Sequence, residues 1–415
     1  MELLDFIEQS PTAFHAVKNA AELLTEAGAE YLPESESWTL EAGKTYYTVR
    51  NDSALIAFHV PEGAKGFHIY AAHADSPGFK IKEEPELVTE GKYVRLNVER
   101  YGGMILSTWF DRPLSVAGRV IVRTDAGLET RLVNIDRDLL LIPNVAIHMS
   151  RDLNEGAKLN PQQDLLPLFG GIEAKGSFMK LIAENAGVSE EDILGHDLFL
   201  YTRGRGTVWG AENEYISAPR IDDQECAFAG LQGFIKAKKE ENISVLAIFD
   251  NEEVGSMSRQ GAASTFLSDT LLRISEALGD TGSDYLSRIA ASYMISADNG
   301  HAVHPNHPEK SDPSNRPVPN GGILLKYSAN QRYTTDGASA AVFKELCKKA
   351  DVPYQIFFNR SDMMGGSTLG NISLTQVAAM TADIGLAQLA MHSSYETAGA
   401  KDEAYMERFV QELFR

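Results

Sequence analysis

The sequence predicts an α/β fold that is interrupted by a β-rich insertion. Residues 245–249 (Val-Leu-Ala-Ile-Phe) form a continuous apolar run, which is typical of a strand buried on both faces of a sheet. Segments with helical spacing flank this strand at 223–238 and 265–278. Over residues 80–210, by contrast, short β-rich runs alternate with Gly and Pro turns, and helical spacing is scarce.

Start and stop signals place the other elements in order. Ser10-Pro11 supplies an N-cap and a first-turn proline for a helix that Gly28 ends. Helices are predicted at 12–27, 223–238, 265–278, 337–349 and 401–414. Strands are predicted at 55–60, 66–72, 93–98, 116–124, 245–249, 291–297 and 354–358. The domain boundaries that we expect are 1–82 and 213–415 for the α/β domain and 83–212 for the insertion.

Composition and charge limit the classes of partner. The chain has 415 residues, 43% hydrophobic and 23% charged, as expected of an ordinary globular protein with a large core. Its net charge of −20 argues against nucleic acid or an anionic membrane as a partner. An acidic substrate would need a local Lys or Arg to bind against this field. The acidic N-terminus, the lack of a membrane-length apolar run and the two widely spaced cysteines predict a cytoplasmic protein.

The apolar run at 245–249 ends in an acidic stretch. Asp250, Glu252 and Glu253 follow it directly, and Gly255 then lets the backbone turn. Active sites of open α/β sheets collect at the carboxyl ends of strands. There, two adjacent glutamates can supply one metal ligand and one proton carrier. The alternative interpretation is a solvated acidic loop, because exposed glutamate pairs are common.

Other potential ligands lie at similar positions in the chain. His73, Glu253 and Asp298 each follow an apolar strand-like run, so a parallel sheet would bring them to one edge. Asp222 and His392 complete the set of imidazole and carboxylate groups that suit zinc. A carboxylate can bridge two metal ions about 3.5–4 Å apart. Three carboxylates, two divalent ions and one hydroxide sum to zero charge, which favours a partly buried site. Asp75, two residues after His73, can accept the other imidazole N–H.

Motifs along the chain resemble the M18 family, the aspartyl aminopeptidases. They cover nearly the whole chain in the family's order: His73-Ala-Asp75-Ser-Pro-Gly, Pro219-Arg-Ile-Asp222-Asp223, Asp250-Asn-Glu-Glu-Val-Gly-Ser, Ser296-Ala-Asp298, His301-Ala-Val-His304-Pro-Asn306, Asn330-Gln-Arg-Tyr-Thr-Thr335 and Met391-His392-Ser393. The resemblance implies a three-layer dizinc exopeptidase domain of the phosphorylase/hydrolase-like kind, with an inserted β-rich domain. It also implies peptide substrates and a large homo-oligomer, possibly a dodecamer.

The resemblance assigns roles to individual residues. Two divalent ions, zinc before cobalt or manganese, would be held by His73, Asp222, Glu253, Asp298 and His392, with Asp222 bridging them. Glu252 would be the general base and then the acid, and Asp75 would orient His73. His148, on the insertion, would hydrogen bond the oxyanion in a neighbouring subunit. Two alternatives for His148 stay open: it ligates metal, or it is an ordinary histidine at the edge of a sheet.

The resemblance also implies binding of a free α-amino group and, in many members, of an N-terminal Asp or Glu. Lys326 is the residue that we expect to bind an acidic side chain, with a solvated lysine as the alternative. His301 and Arg332 are further candidates for substrate binding. The sequence departs from the family pattern at Asp362-Met-Met-Gly-Gly-Ser-Thr368 and at Asn299-Gly300, two segments that we expect to line the substrate cleft.

Two other functions remain to be tested. One is a related dizinc hydrolase that acts on neutral N-terminal, N-acyl or C-terminal residues. The other is an inactive scaffold or binding protein that keeps the fold. A scaffold would be expected to lack at least one ligand, whereas all five and Glu252 are present in this sequence.

Overall fold

A computed structural model describes residues 1–156 and 158–415 of the chain. These residues form two compact units. The first unit consists of Met1–Asp75, Gly206–Met391 and Glu396–Arg415. The second unit consists of Ser76–Arg205 and the short segment His392–Tyr395. The domain boundaries expected from the sequence stay a prediction.

The secondary structure comprises strands β1–β20 and helices α1–α10 in the described residues. The strands are β1 (Glu30–Tyr31), β2 (Thr45–Arg50), β3 (Ala54–His59), β4 (Phe67–His73), β5 (Gly78–Thr89), β6 (Tyr93–Tyr101), β7 (Leu114–Thr124), β8 (Gly127–Asn134), β9 (Leu168–Gly171), β10 (Ile193–Thr202), β11 (Thr207–Trp209), β12 (Tyr215–Ala218), β13 (Ile243–Phe249), β14 (Tyr293–Ala297), β15 (Gly300–His301), β16 (Ile323–Tyr327), β17 (Tyr354–Phe358), β18 (Met380–Gly385), β19 (Ala387–Leu389) and β20 (Glu396–Gly399). The helices are α1 (Leu3–Gln9), α2 (Ala13–Glu26), α3 (Pro161–Asp164), α4 (Phe178–Ala186), α5 (Ile221–Lys236), α6 (Phe266–Ala277), α7 (Gly282–Ala290), α8 (Gly337–Ala350), α9 (Leu369–Ser373) and α10 (Asp402–Leu413). Every helix and strand predicted from the sequence is confirmed, with ends shifted by a few residues.

A nine-stranded mixed sheet organises the first unit. Its strand order is β1-β2-β3-β13-β4-β14-β18-β16-β17. The neighbours β13, β4, β14 and β18 run parallel, while β3 and β16 are antiparallel to this central group. A smaller sheet, β11-β12-β20-β19-β15, belongs to the same unit.

The central strands are buried on both faces, as their continuous apolar sequence predicts. In β13, Leu246 and Ile248 contribute to one hydrophobic core, while Val245 and Phe249 contribute to the core on the opposite face. Successive side chains of a strand point to opposite faces, so each face needs its own cover. Helices α1, α2, α5, α8 and α10 cover the first face, and α6, α7 and α9 cover the second. The predicted three-layer α/β architecture is therefore confirmed.

The second unit is built on one antiparallel sheet. Its strand order is β8-β7-β10-β5-β6-β9, and all the pairings are antiparallel. A separate core fills this unit, with Phe79, Leu114 and Leu198 among its fully buried side chains. The predicted β-rich insertion is thus present in the fold. Across the described residues, no helix combines the length and the apolar character needed to span a membrane.

Candidate metal centre

Three strands of the large sheet end side by side in a group of polar residues. The last residue of β4, His73, pairs with Phe249, the last residue of β13. Strand β14 is the other neighbour of β4, and Asp298 follows its last residue. The acidic stretch that begins at Asp250 follows β13 directly. Because these strands are parallel, their carboxyl ends lie at one sheet edge.

The start of α5 brings two more acids to this edge. Asp222 and Asp223 have non-helical backbone angles and are joined by a cis peptide bond. The backbone N–H of Asp222 donates to Glu396 Oε2 at 3.0 Å. Asp223 Oδ2 accepts the backbone N–H of His73 at 3.2 Å, which links α5 to the end of β4. Both carboxylates are buried.

The converging side chains form two overlapping groups of potential ligands. In one group, His73, Asp222, Asp223 and Asp298 each offer a ligand atom, and these atoms lie within 4.8 Å of one another. In the other group, His73, Glu252 and Glu253 meet the same criterion. We call these six residues the acid cluster. Four of the residues predicted as ligands, together with the predicted base Glu252, therefore lie in one place.

Asp75 fixes the conformation of the adjacent glutamates. Its two carboxylate oxygens accept the backbone N–H groups of Glu252 and Glu253, each at 3.1 Å. The same carboxylate lies 3.3 Å from His73 Nδ1. Glu252–Val254 forms a short 3-10 turn after Asn251, which has left-handed backbone angles. One buried carboxylate thus holds both the imidazole and the turn that carries the glutamates.

The acid cluster contains more negative charge than its protein surroundings neutralise. Burial, only partly offset by His73, raises the pKa of Glu252 to about 8, and the charge of Asp298 adds to the rise. Burial and the charge of Asp222 raise the pKa of Glu253. Burial disfavours a charged His73, but its bond to Asp75 and the surrounding carboxylates outweigh this and raise its pKa. These shifts have one physical meaning: the cluster would be stabilised by positive charge.

Lys326 lies beside Asp298. Its ammonium lies 4.0 Å from Asp298 Oδ2 and donates to the Asn299 carbonyl oxygen at 2.9 Å. The side chain is only 2% exposed. Burial lowers its pKa, but the charges of Asp298 and Tyr333 outweigh burial and raise it, so Lys326 is charged. The alternative of a solvated surface lysine is therefore wrong.

The other predicted site residues lie in varied surroundings. His301, in β15, and Arg332 are exposed, and Arg332 Nη2 lies 3.9 Å from Met364 Sδ. His148 is exposed in the second unit, in a turn closed by the Met149 N–H and the Ala146 carbonyl. His392 begins the segment that packs with the second unit, where its carbonyl accepts the Ile105 N–H at 3.0 Å. The roles of these four residues stay predictions.

Comparison with known proteins identifies the family. Residues 6–414 match the model of the aminopeptidase I zinc metalloprotease (M18) family. The chain belongs to the M18 aminopeptidase family. A Clostridium acetobutylicum protein named probable M18 family aminopeptidase 2 is 50% identical over 100% of this chain and 98% of its own length.

Solved structures agree with this placement among the M18 aminopeptidases. One chain from a structure of an Ape4 and Nbr1 complex superposes with a TM-score of 0.96 and 36% identity, over 99% of this chain and 84% of that one. A chain from the S. cerevisiae mApe1 dodecamer has a TM-score of 0.87 and 29% identity, over 99% and 95% of the two chains. The protein is accordingly a metallo-aminopeptidase, and a peptide hydrolase.

The acid cluster fits the divalent metal that an M18 enzyme requires. Imidazole nitrogen and carboxylate oxygen are the ligands that zinc takes in hydrolases. The excess negative charge of the cluster would be offset by a bound cation. Its position at the carboxyl ends of parallel strands is where the active sites of open α/β sheets collect.

Two residues of this M18 site were missed or misjudged in the sequence. The sequence pattern marks Asp223 only as part of a motif, but Asp223 belongs to the cluster and its carboxylate accepts the His73 backbone N–H. The Asp222-Asp223 pair was the available signal. Asn299 was expected to line the cleft, but it is 3% exposed. Its side chain donates to the Ile221 carbonyl and accepts the Leu386 N–H, so it joins α5 to the residue that follows β18.

Proposed function

We propose that this enzyme removes N-terminal residues, acidic ones preferentially, from short peptides with the help of two bound divalent ions. The observation that carries the proposal is the acid cluster, where His73 and several carboxylates meet beside Glu252 in a chain of the M18 family. The other residues of the site then have separate tasks.

The metal ions would be held by His73, Asp222, Glu253, Asp298 and His392. Zinc is the first candidate, because the family is one of zinc metalloproteases, and cobalt and manganese take the same ligands. When bound, such ions polarise the peptide carbonyl and make water more acidic. Asp223 lies close enough to contribute negative charge and to hold His73 in place.

Glu252 would carry the proton. As a base it takes a proton from the attacking water, and as an acid it returns that proton to the leaving amine. Burial and the neighbouring carboxylates raise its pKa, which makes Glu252 a stronger base than an exposed glutamate. Asp75 would keep this side chain in position, because it binds the Glu252 N–H and the His73 imidazole together.

The preference for acidic residues would depend on Lys326. A charged ammonium beside Asp298 provides the local cation that a chain of net charge −20 needs in order to bind an acidic side chain. His301 and Arg332 would contact the substrate from the exposed parts of the same unit. Lys326 is buried, so a substrate carboxylate would have to enter the site deeply to reach it.

The enzyme would act as a large homo-oligomer. The related S. cerevisiae mApe1 structure is described as a dodecamer. In such an assembly His148 would reach the metal centre of a neighbouring subunit and hydrogen bond the developing oxyanion. The exposure of His148 supports this role, because its imidazole is available for a partner.

Hydrolysis of aminoacyl anilides tests the proposal directly. Glutamyl and aspartyl anilides should be cleaved faster than leucyl or alanyl anilides. Removal of metal by a chelator should abolish turnover, and added zinc, cobalt or manganese should restore it. Metal analysis of the restored enzyme should give two ions per chain. Full activity after verified metal removal would contradict the proposal.

Blocked substrates separate this function from its closest alternative. An aminopeptidase needs a free α-amino group, so N-acetylated peptides should not be cleaved. An N-acyl hydrolase would prefer them, and a carboxypeptidase would release C-terminal residues instead. Mass spectrometry of one peptide in free, N-acetylated and C-amidated forms distinguishes the three activities.

A further inference from the structure

The second unit contains a cavity of about 580 Å³. This volume lies within the range of about 300–1,000 Å³ that is usual for small-molecule sites. One wall is formed by the hairpin of β5 and β6, where Thr89 pairs with Tyr93. Arg95 follows Tyr93 by two residues, so its side chain lies on the same face of the strand. Phe110 and residues from the segments 143–156 and 158–168 supply the rest of the lining.

The charged residues of this cavity are mainly basic. Arg95 and Lys158 line it together with one acid, Asp164. Neither cation makes an ion pair with any acid in the described residues. Asp164 is already engaged, because its Oδ2 accepts the Asn160 N–H at 2.7 Å at the start of α3. The cavity therefore carries a net positive charge, with two cations against one acid.

Unsatisfied polar atoms also lie at the hairpin wall. Arg95 Nε and Thr89 Oγ1 are buried, and neither forms a hydrogen bond in the described part of the chain. Leaving such groups unpaired lowers stability, and more so for a charged group. Buried donors of this kind point to an acceptor that the protein itself does not supply.

Another part of the lining is apolar, and it includes Leu168, the β9 partner of Arg95. Phe110, Leu166 and Leu168 border the cavity, together with Leu153 and Leu159. Leu166 and Phe110 belong to the hydrophobic core of the second unit, so this wall is firmly packed. An occupant must therefore combine an anionic end with an apolar end.

We propose that this cavity binds a small carboxylate that bears an apolar group, in the chemical class of an apolar amino acid or a branched organic acid. The guanidinium of Arg95 would bind the carboxylate through paired hydrogen bonds. Lys158 would add a second positive charge, and Phe110 and the leucines would cover the apolar group. A free amino acid is also a product of peptide hydrolysis. The occupancy of this cavity would then depend on the concentration of that product.

Isothermal titration calorimetry on the full metal-loaded chain tests this site. L-leucine, 4-methylpentanoate and leucinamide serve as probes of the carboxylate, the amine and the apolar group. We expect saturable binding of at least one of the two carboxylates and no comparable binding of leucinamide. Binding of both identifies a general carboxylate site, and binding of leucine alone identifies an amino-acid site.

Matched variants distinguish binding in the cavity from binding at the metal centre, which can also bind leucine. Arg95→Leu removes the proposed partner, while Arg100→Leu changes an exposed arginine on the same strand that does not line the cavity. Arg95→Leu should weaken binding roughly tenfold or more, since a charge-assisted hydrogen bond is lost. Arg100→Leu should leave binding unchanged. If Arg95→Leu fails to unfold cooperatively, Arg95→Gln takes its place.

Three results would overturn the proposal. They are a lack of saturable carboxylate binding, equal affinity for leucine and leucinamide, and equal affinity of the Arg95 and Arg100 variants. Leucine and 4-methylpentanoate contain no peptide bond, so neither is turned over in these titrations, and any hydrolysis of leucinamide at the metal centre is common to the Arg95 and Arg100 variants. Failure here therefore leaves the proposed hydrolytic function untouched, and failure of that function leaves this site untouched.

Discussion

The two units of this chain hold unbalanced charge of opposite sign. In the first unit, the acid cluster collects carboxylates around His73, and burial raises the pKa of Glu253 and Asp223. In the second unit, a cavity exposes Arg95 and Lys158 to a largely apolar space. Charge that the protein leaves uncompensated lowers stability, so it persists where a ligand compensates it. The comparison indicates a cation site in one unit and an anion site in the other.

The two sites also differ in how the chain builds them. The acid cluster draws its residues from β4, β13, β14 and α5, which are far apart in sequence. The cavity depends on one hairpin, on Phe110 and on residues from the segments 143–156 and 158–168. Motifs at strand ends made the first site readable from sequence. No comparable pattern marks the second, because a hairpin arginine usually faces solvent.

The largest expected effect concerns Glu252, the residue of the cluster that we propose as the proton carrier. Glu252→Gln should reduce kcat roughly 10³–10⁴-fold, because the proton carrier is lost. Metal content should stay at the wild-type value. Glu276→Gln, an exposed change on α6, is the control and should keep full activity. Loss of metal from the Glu252 variant would instead make this residue a ligand, with Glu253 as the candidate base.

Substitution of Asp75 should have the second-largest effect on activity. Asp75→Asn keeps the shape but leaves only one acceptor oxygen for the two backbone N–H groups of Glu252 and Glu253. We expect a decrease in kcat/KM of roughly 10–100-fold, typical of a residue that orients a metal ligand. The pH profile of kcat should shift as well, since the environment of Glu252 changes. An unchanged profile with reduced stability would show a merely structural role.

His15 is a buried base outside the acid cluster, and its titration should change the free energy of unfolding with pH. Burial, together with the charges of Lys18 and Arg220, lowers the pKa of His15 to about 4. Since the folded-state pKa lies below the unfolded value of about 6.5, the stabilisation is complete above pH 6.5 and is lost as pH falls towards 4. Between pH 7.5 and 5 the free energy of unfolding should fall by about 2 kcal/mol from this group.

Urea unfolding of two variants measures this contribution. His15→Gln should unfold with a smaller pH dependence than wild type, while His307→Gln, which changes an exposed histidine, should behave as wild type. Other buried groups titrate equally in all three proteins, so only the difference between them matters. Equal pH dependence for His15→Gln and wild type would refute the assignment.

Lys326 tests the selectivity that the cluster gives to substrates. Lys326→Met should lower kcat/KM for glutamyl anilide roughly tenfold more than for leucyl anilide, because only the acidic side chain loses its partner. Lys344→Met, an exposed change on α8, should alter neither. An equal loss for both substrates would show that Lys326 acts through Asp298 and not on the substrate side chain.

The smallest effect concerns stability in the second unit. Arg95→Leu removes an unpaired, half-buried cation and should raise the free energy of unfolding by about 0.5–1 kcal/mol. Arg100→Leu should have no such effect. Thermal unfolding without added ligand compares the stabilities of the two variants. A clear destabilisation by Arg95→Leu would show instead that the aliphatic part of the Arg95 side chain contributes to packing.

Much of the fold was readable from the sequence because its signals are local. The run 245–249 is apolar without interruption, and the structure places alternate side chains in the two cores of the first unit. Gly28 follows the end of α2 as expected, but the predicted N-cap was wrong, because Thr12 caps α2 and Ser10 is the C-cap of α1. Glu253 and Asp298 could be grouped with His73 because parallel strands bring their carboxyl ends together.

Contacts between distant segments could not be read in this way. The carboxylate of Asp75 was expected to serve His73, but its bonds to Glu252 and Glu253 depend on the packing of β4 beside β13. The burial of Asn299 and Lys326 could not be predicted either. Polar residues are buried only where the fold supplies hydrogen-bonding partners, and the sequence does not show those partners. Sequence patterns predicted which residues meet, and the fold decided which of them reach solvent.

The buried amide of Asn299 has a consequence for the chemical ageing of the enzyme. Asn299 precedes Gly300, a dipeptide prone to deamidation because the glycine N–H can attack the side-chain carbonyl. Here the Asn299 amide group donates to Glu225 and Gln388, and its oxygen accepts from Cys226. These contacts fix the side-chain amide, and the Gly300 N–H donates to the Leu386 carbonyl at 2.8 Å, so both groups that would form a succinimide are engaged. Deamidation would place a new carboxylate against Glu225, so the same packing that orders the site also preserves its covalent integrity over time.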